Sequence, residues 1–417
     1  MRLMLLILTC FSGLPLSAAH AATGDNPLRP MPGMTRLAPP SRSTGFSSAC
    51  DTGDPAKTIA SCTRVINSDA PPELRGDAMS TRGEAYLRRG EADRAIADFE
   101  QAVKLDPKNP GAWVNRGNFY QANGQFERAL LDYGNALELR PDDVSAHVGR
   151  GGTYLRMGQP ARAIPEFDEA IKADPKNAGA LANRGEAYRV QDENDRAIAD
   201  YDRAIAISPN FAAAFDDRGL AYQSKGDFAR AIADFNSAIR LAPKVASLYL
   251  HRAVAYGDQG NPERQAADFD AAVKLDPNDP ATYESRGNVF QEEKNYDRAI
   301  ADYSRALELN PNSARVFNNR GSAYALKGDY MAAIDNFTQA INLDPSIPGL
   351  FANRGLAYVK AGQYEPAIAD LDLAVGRNPK DAVSLYNRGV AKQNMGNSVA
   401  GDIDVINART IDPAVGK

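Results

Sequence analysis

A proline returns every 34 residues, at Pro107, Pro141, Pro175, Pro209, Pro243, Pro277, Pro311, Pro345, Pro379 and Pro413, and no insertion breaks the phase. A fixed period of that length marks a repeated supersecondary unit and constrains the fold more than any local motif. In step with the prolines runs an Arg-Gly pair, from Arg82-Gly83 and Arg116-Gly117 to Arg388-Gly389, with Arg252-Ala253 as the single departure. Within one unit, Gly111 to Ala122 reads as a helix, Asn123-Gly124 as a break, and Phe126 to Leu139 as a second helix with apolar residues at helical spacing. Pro141 ends it, because proline has no amide hydrogen and disfavours helix in the residue before it. The unit is therefore expected to be a helical hairpin. One hairpin cannot bury both its faces, so neighbours must stack into a quasi-one-dimensional superhelix. Such an array also absorbs 417 residues, too many for one compact core of roughly 100–200 residues.

Trp113, Gly117, Tyr120, Ala129, Tyr133, Ala136 and Pro141 follow the Trp, Gly, Tyr, Ala, Phe/Tyr, Ala and Pro signature of the tetratricopeptide repeat in order, and the chain resembles that family over about Gly76 to Val415. The resemblance implies an all-α solenoid, a right-handed superhelix of helical hairpins, with ten repeats at 76–109, 110–143, 144–177, 178–211, 212–245, 246–279, 280–313, 314–347, 348–381 and 382–415. It also implies that partners bind along the first helix of each hairpin, on the concave side. The matching residues read as structural. Trp113, the one tryptophan, occupies a packing position, and the second alanine recurs in every copy from Ala102 to Ala408, as suits a close approach of two helices.

The ends depart from the period. Residues 1–21 carry Arg2, an apolar run from Leu3 to Leu14 and small residues around Ala19-His20-Ala21, the pattern of a secretory signal peptide. An uncleaved anchor needs about 20 apolar residues, and Gly13 and Pro15 interrupt the run; lipidation at Cys10 is a second alternative, disfavoured by Thr9 before it. Cleavage removes Arg2 and no acidic residue, taking the formal charge from −5 to −6. Residues 22–49 form a proline-rich leader expected to lack fixed structure, and 50–75 a degenerate half-repeat that caps the array. Export leaves two cysteines in an oxidising compartment, so a Cys50–Cys62 disulfide is expected, with a pair of buried thiols as the alternative. Gly401 and Asp402 replace the inward alanine and isoleucine of other units, which reads as a polar C-terminal cap. Gln265, Ala266 and the missing glycine mark the sixth unit as a soft point.

Little of the sequence reads as catalytic. The negative balance gives no basic footprint for nucleic acid. His147 and His251 fall in different repeats and are not expected to share a metal, and the nucleophile-elbow, phosphate-loop and zinc-protease motifs are not found. No metal, cofactor or catalytic residue is assigned. One polar pattern recurs: an acid stands sixteen residues after each arginine in nine repeats, as Asp200 after Arg184, with Asn336 in the remaining one. Sixteen residues leads from one helix onto its partner, so a ladder of partly buried Arg-carboxylate pairs is expected.

The first helices give a graded surface. Asp77, Glu84, Glu186, Asp216, Asp258, Glu284 and Glu292 make the first seven repeats acidic; Ala325, Leu326, Ala352, Leu356, Val359, Val383, Tyr386 and Val390 make the last three apolar, a stripe expected either to bind a protein or to pack on itself. Asn319, Asn353 and Asn387 stand beside the stripe, with Asn115 and Asn183 at matching places, and resemble in position the asparagine ladders by which repeat superhelices hold extended peptides. Gly349 and Val383 occupy places where a clamp for C-terminal carboxylates needs bases. The expected role is an adaptor for proteins or peptides in the periplasm or outside the cell, without membrane insertion after signal cleavage, as a monomer or weak homo-oligomer. The rivals are a glycan- or peptidoglycan-binding protein and a non-catalytic subunit of an enzyme or secretion complex.

Overall fold

The computed structural model describes residues 50–416; the expected signal peptide at 1–21 and leader at 22–49 lie outside the described residues. These residues form 21 helices. The first, α1 (Pro55–Ile66), precedes ten hairpins that run from α2 (Pro72–Arg88) with α3 (Ala92–Leu105) to α20 (Ala382–Asn394) with α21 (Ser398–Ile411).

Local chemistry sets the helix ends. Most first helices open on a short polar cap: Asp143 Oδ1 accepts from the Ala146 amide at 3.0 Å, and Asn177 Oδ1 from Ala180 at 2.9 Å. The ninth repeat has Gly349 there, in a left-handed conformation with no side chain to cap, and its first helix, Leu350–Lys360, is 11 residues long where most are 13. The hairpin turn needs a left-handed residue, which glycine supplies in most copies; Asp192 and Lys294 adopt it in the fourth and seventh, at φ 59° and 62°.

Packing explains the Arg-Gly pair. A Cβ at Gly83 would fall 2.6 Å from the Phe99 ring, and one at Gly185 2.8 Å from Tyr201, because seven of the nine glycines receive the aromatic of the partner helix sixteen residues on, while Gly355 receives Leu371 and Gly389 the Gly401 carbonyl and Val405. Phe99, Tyr133, Phe167, Tyr201 and Phe235 are fully buried in this way. Each such side chain stabilises the stack by about 2–3 kcal/mol. In the sixth repeat Ala253 already carries the Cβ, and Phe269 still lies buried opposite it. Gln265 takes the place of a buried alanine there and is itself buried.

Contacts divide the chain into two compact units, 50–244 with 254–260 and 245–253 with 261–416, and the division passes through the sixth repeat's first helix, Ala246–Asp258. Each unit is a run of stacked hairpins. In the first, Ala170, Leu181, Tyr188, Tyr201 and Ala214 share one cluster; in the second, Tyr283, Tyr303, Leu307 and Val316 share another. At the front of the first unit, Cys50 and Cys62 are joined, with Cα atoms 5.0 Å apart, in a cluster with Ile66 and Ala78. Arg82 donates to Thr63 of α1 at 2.9 Å, which ties α1 to the first hairpin.

Candidate functional site

The arginine ladder is the most regular polar feature. Arg184 donates through Nε to Asp200 Oδ2 at 2.7 Å and through Nη2 to Asp200 Oδ1 at 2.6 Å, a bidentate fork. Arg82 with Asp98, Arg116 with Asp132, Arg218 with Asp234, Arg252 with Asp268, Arg286 with Asp302, Arg354 with Asp370 and Arg388 with Asp404 repeat it. The hydrogen bonds to these acids raise the pKa of Arg82, Arg116, Arg184, Arg218, Arg286, Arg354 and Arg388. Arg320 differs, donating to the neutral Asn336 Oδ1 at 2.8 Å; burial lowers its pKa. The third rung uses the longer Glu166, reached by Arg150 at 2.8 Å.

A second acceptor, not legible in the forward spacing, ties several of these arginines to the preceding repeat. Arg184 Nη1 donates to Asp168 at 2.7 Å, Arg218 to Asp202 at 2.5 Å, Arg286 to Asp270 at 2.9 Å and Arg388 to Asp372 at 2.8 Å. Ser304 and Thr338 hydroxyls take that place for Arg320 and Arg354. Each partner lies sixteen residues before its arginine, so the signal was available as a second, backward spacing.

His147 completes a local network. Its Nε2 lies 3.0 Å from the Pro141 carbonyl and its Nδ1 2.8 Å from Glu166 Oε2. Burial opposes the charge, but the hydrogen bonds to Glu166 and the carbonyl outweigh it, and the imidazole pKa is raised. Burial likewise pushes the Glu166 carboxyl up, and hydrogen bonds from His147 and Arg150 bring it below its ordinary value. Trp113, one repeat earlier at the same position, donates to the Pro107 carbonyl at 2.9 Å, and Tyr283 to Pro277 at 3.2 Å. These side chains secure the turn that starts their repeat. Among the described residues, no three His, Cys, Asp or Glu side chains are grouped to hold a metal ion.

In the first unit the acidic row is partly consumed by its own neighbours. Asp77 accepts from Asn109 at 2.6 Å, Glu84 from Asn115 at 3.0 Å, and Asp216 is buried. Glu186 receives a fork from Arg189 at 2.7 and 2.8 Å. Beside it the Asp217 carboxyl stands well above the usual range, first through desolvation and then through Glu186 and Asp216. In the second unit Glu284 is buried too, its pKa raised by burial and opposed by Arg315.

The apolar stripe of the second unit needs correction. Leu356, Asn353 and Ala325 are 4%, 6% and 6% exposed and belong to the interior. Leu326 packs beside Leu356 against the cluster around Phe337. Val415 is buried with Ala382, Leu385 and Ala408, with Tyr386 and Val383 against them, and Gly416 lies on the Tyr386 ring. Ala352, Val359, Tyr386 and Val390 remain half-buried at the surface. The asparagines are engaged: Asn319 donates to Asn288 at 3.2 Å, Asn353 to Asn318 at 3.2 Å and Asn387 to the Val383 carbonyl at 2.8 Å. Close stacking of first helices brings these residues within reach of each other and covers what helix periodicity alone leaves open.

Sequence profiles described as tetratricopeptide repeat match residues 148–210 and 217–280, 185–244, 110–143 and 349–381, and one described as TPR repeat matches 83–124, 287–328 and 321–362. No curated protein matches the chain. Among solved structures, a tetratricopeptide repeat protein from Parabacteroides merdae is 20% identical, covers 60% of this chain and 98% of its own, and has a TM-score of 0.50, a likeness of fold. PilW, described as a widely conserved type IV pilus biogenesis factor, is 25% identical over 48% of this chain and 93% of its own, with a TM-score of 0.46. YrrB, described as a TPR protein with an unusual peptide-binding site, is 23% identical over 43% of this chain and 92% of its own, with a TM-score of 0.36.

Proposed function

We propose that this chain, which belongs to the tetratricopeptide repeat family, is a non-catalytic scaffold of the cell envelope that holds proteins or peptides along its first helices. The observation that carries this reading is a contrast between rows of residues. Glycine, aromatic, arginine and acid recur because packing and the ladder dictate them. The positions flanking the Arg-Gly pair vary more. After it, Asn118, Glu186 and Asn288 accept from the Tyr133, Tyr201 and Tyr303 hydroxyls and Ser322 and Leu356 are buried, while Glu84, Leu220 and Val390 reach the surface in part. Before it stands Asn in five copies, with Asp217 and Ser285 among the others. Where these positions reach the surface, ten copies of one fold allow them to differ, which suits a surface that reads a partner whose chemistry changes along its length. Ala352, Val359, Tyr386 and Val390 are the apolar stretch of that surface.

Export is the second part of the proposal, supported by the leader pattern at 1–21 and by the Cys50–Cys62 bond. Among the described residues no helix is long and apolar enough to cross a membrane. The chain recovered from an envelope extract should begin after Ala21 and be lighter than its thiol form by two hydrogens. Two free thiols would remove the disulfide from the case for export.

Affinity capture from the same extract tests the surface. Wild type and a Val359→Asp/Val390→Asp variant should retain different proteins, both being checked by circular dichroism for intact helix. Identical captured sets would take the apolar stretch out of the proposal.

A further inference from the structure

The last helix shows solvent a face unlike that of the nine copies before it. α21 buries Gly401, Asp404 and Ala408 against the stack and turns Val399, Ile403 and Ile406 outward, 75%, 54% and 63% exposed. At the same three positions the fourth repeat has Asp195, Ala199 and Asp202, the sixth Glu263, Ala267 and Asp270, and the seventh Asp297, Ala301 and Ser304. Where a large apolar residue occurs earlier at these positions, as with Leu131 or Met331, it stands alone in its repeat. The site of Ile406 is the one that elsewhere holds the acceptor for the next arginine, as Asp372 does for Arg388.

The spacing has its own logic. Residues 399, 403 and 406, followed by Thr410, alternate by four and three, the pattern by which one helix presents a seam to another. Asp402 and Arg409 are exposed, seven residues apart, and therefore lie on one flank of that seam. In a parallel pair of identical helices this flank meets the opposite flank, which here carries Ala400 and Asn407. In an antiparallel pair it meets itself, so Asp402 of each copy faces Arg409 of the other, twice, while the apolar residues interleave. A charge pair at this spacing is self-complementary in the antiparallel arrangement alone.

We propose that α21 is the interface of a two-fold symmetric, antiparallel dimer of this chain. A two-fold interface must be complementary to itself, and the seam with its Asp402 and Arg409 flank meets that requirement. The three side chains expose on the order of 300 Å² per copy, well below the ~800 Å² per partner of a standard interface. The dimer is consequently weak and depends on concentration. Repulsion between two chains of formal charge −5 is screened beyond about 10 Å at moderate salt and does not oppose it strongly.

Sedimentation equilibrium of the purified full chain, from about 10 µM to about 1 mM, tests this. The average mass should rise with concentration toward twice that of the monomer and no further. Ile406→Glu, on an exposed position, should weaken association at least about tenfold without changing the circular dichroism spectrum. Asp402→Arg and Arg409→Asp should each weaken it by a similar factor, and the two together should restore it. A monomer throughout, a mass beyond the dimer, or association indifferent to Ile406→Glu overturns the proposal. So does a charge swap that fails to restore what the single changes remove, since it excludes the antiparallel arrangement. Association that emerges only when residues 1–49 are deleted shows instead that the chain's own N-terminal segment covers the face, and also overturns it.

Discussion

The fourth and eighth repeats hold the same arginine in the same place amid different chemistry. Arg184 donates to Asp200 at 2.7 Å and, backward, to Asp168 at 2.7 Å; Arg320 donates to Asn336 at 2.8 Å and, backward, to Ser304 at 3.0 Å. One guanidinium sits between two carboxylates, the other between two neutral oxygens. Its hydrogen bond to Asp200 takes the first above the ordinary arginine range, and burial takes the second below it. The helices nevertheless meet alike, with Tyr201 fully buried against Gly185 and Phe337 fully buried against Gly321. Ring packing and donor geometry therefore set the register; charge decides how much is lost when a partner is removed.

That division can be broken by experiment. Arg184→Met leaves Asp200, 4% exposed, with only the longer 3.8 Å contact to Arg203, and should destabilise the fourth repeat by about 3 kcal/mol. Arg320→Met strands only neutral acceptors and should cost about 1 kcal/mol. Urea denaturation with hydrogen exchange read in the affected repeat separates the two, and equal losses would refute a role for charge. In the Arg184→Met background, Asp200→Asn should recover about half the loss; additive effects would mean the pair is not coupled. Asn336→Asp supplies the missing carboxylate and should stabilise the eighth repeat by about 1 kcal/mol in the same assay.

The smallest effect is expected in the third repeat, where the rung is shared with a titrating group. The folded pKa of His147 is raised, so its contribution is complete below its unfolded value near 6.5 and is lost as pH rises through the folded value. Glu166 has the opposite sign: its folded pKa is lowered, and its contribution fades as pH falls through that value. Wild type should thus lose stability on the alkaline side relative to His147→Phe, which keeps a ring at this position. Parallel stability curves from pH 6 to 9 would show that the imidazole charge contributes nothing.

The ladder was legible because it depends on spacing within one hairpin. Arg184 and Asp200 are sixteen residues apart in a rigid two-helix unit, and that separation settles which helix faces they occupy. Asp168 escaped notice because the backward partner changes type, to Ser304 and Thr338 in the seventh and eighth repeats. The apolar stripe was overstated for a different reason. Helix periodicity places Leu356 and Asn353 on the first-helix face, but the side chains of adjoining repeats decide how much of each is covered. The last repeat was only half legible: Gly401 is buried at the inward position and Asp402 is exposed, as a polar cap needs, but the same helix also turns Val399, Ile403 and Ile406 outward.

By itself the sequence determined the hairpin, its 34-residue period, the break at each turn and the partners that lie within one unit. These follow from backbone chemistry and from distances short enough for helix geometry to carry without error. Only the tertiary structure decided that Gly185 must admit the Tyr201 ring, that Leu356 lies inside, and that α21 keeps an apolar seam in water. Burial is a property of what stands opposite a residue, and what stands opposite is known only once the helices are packed.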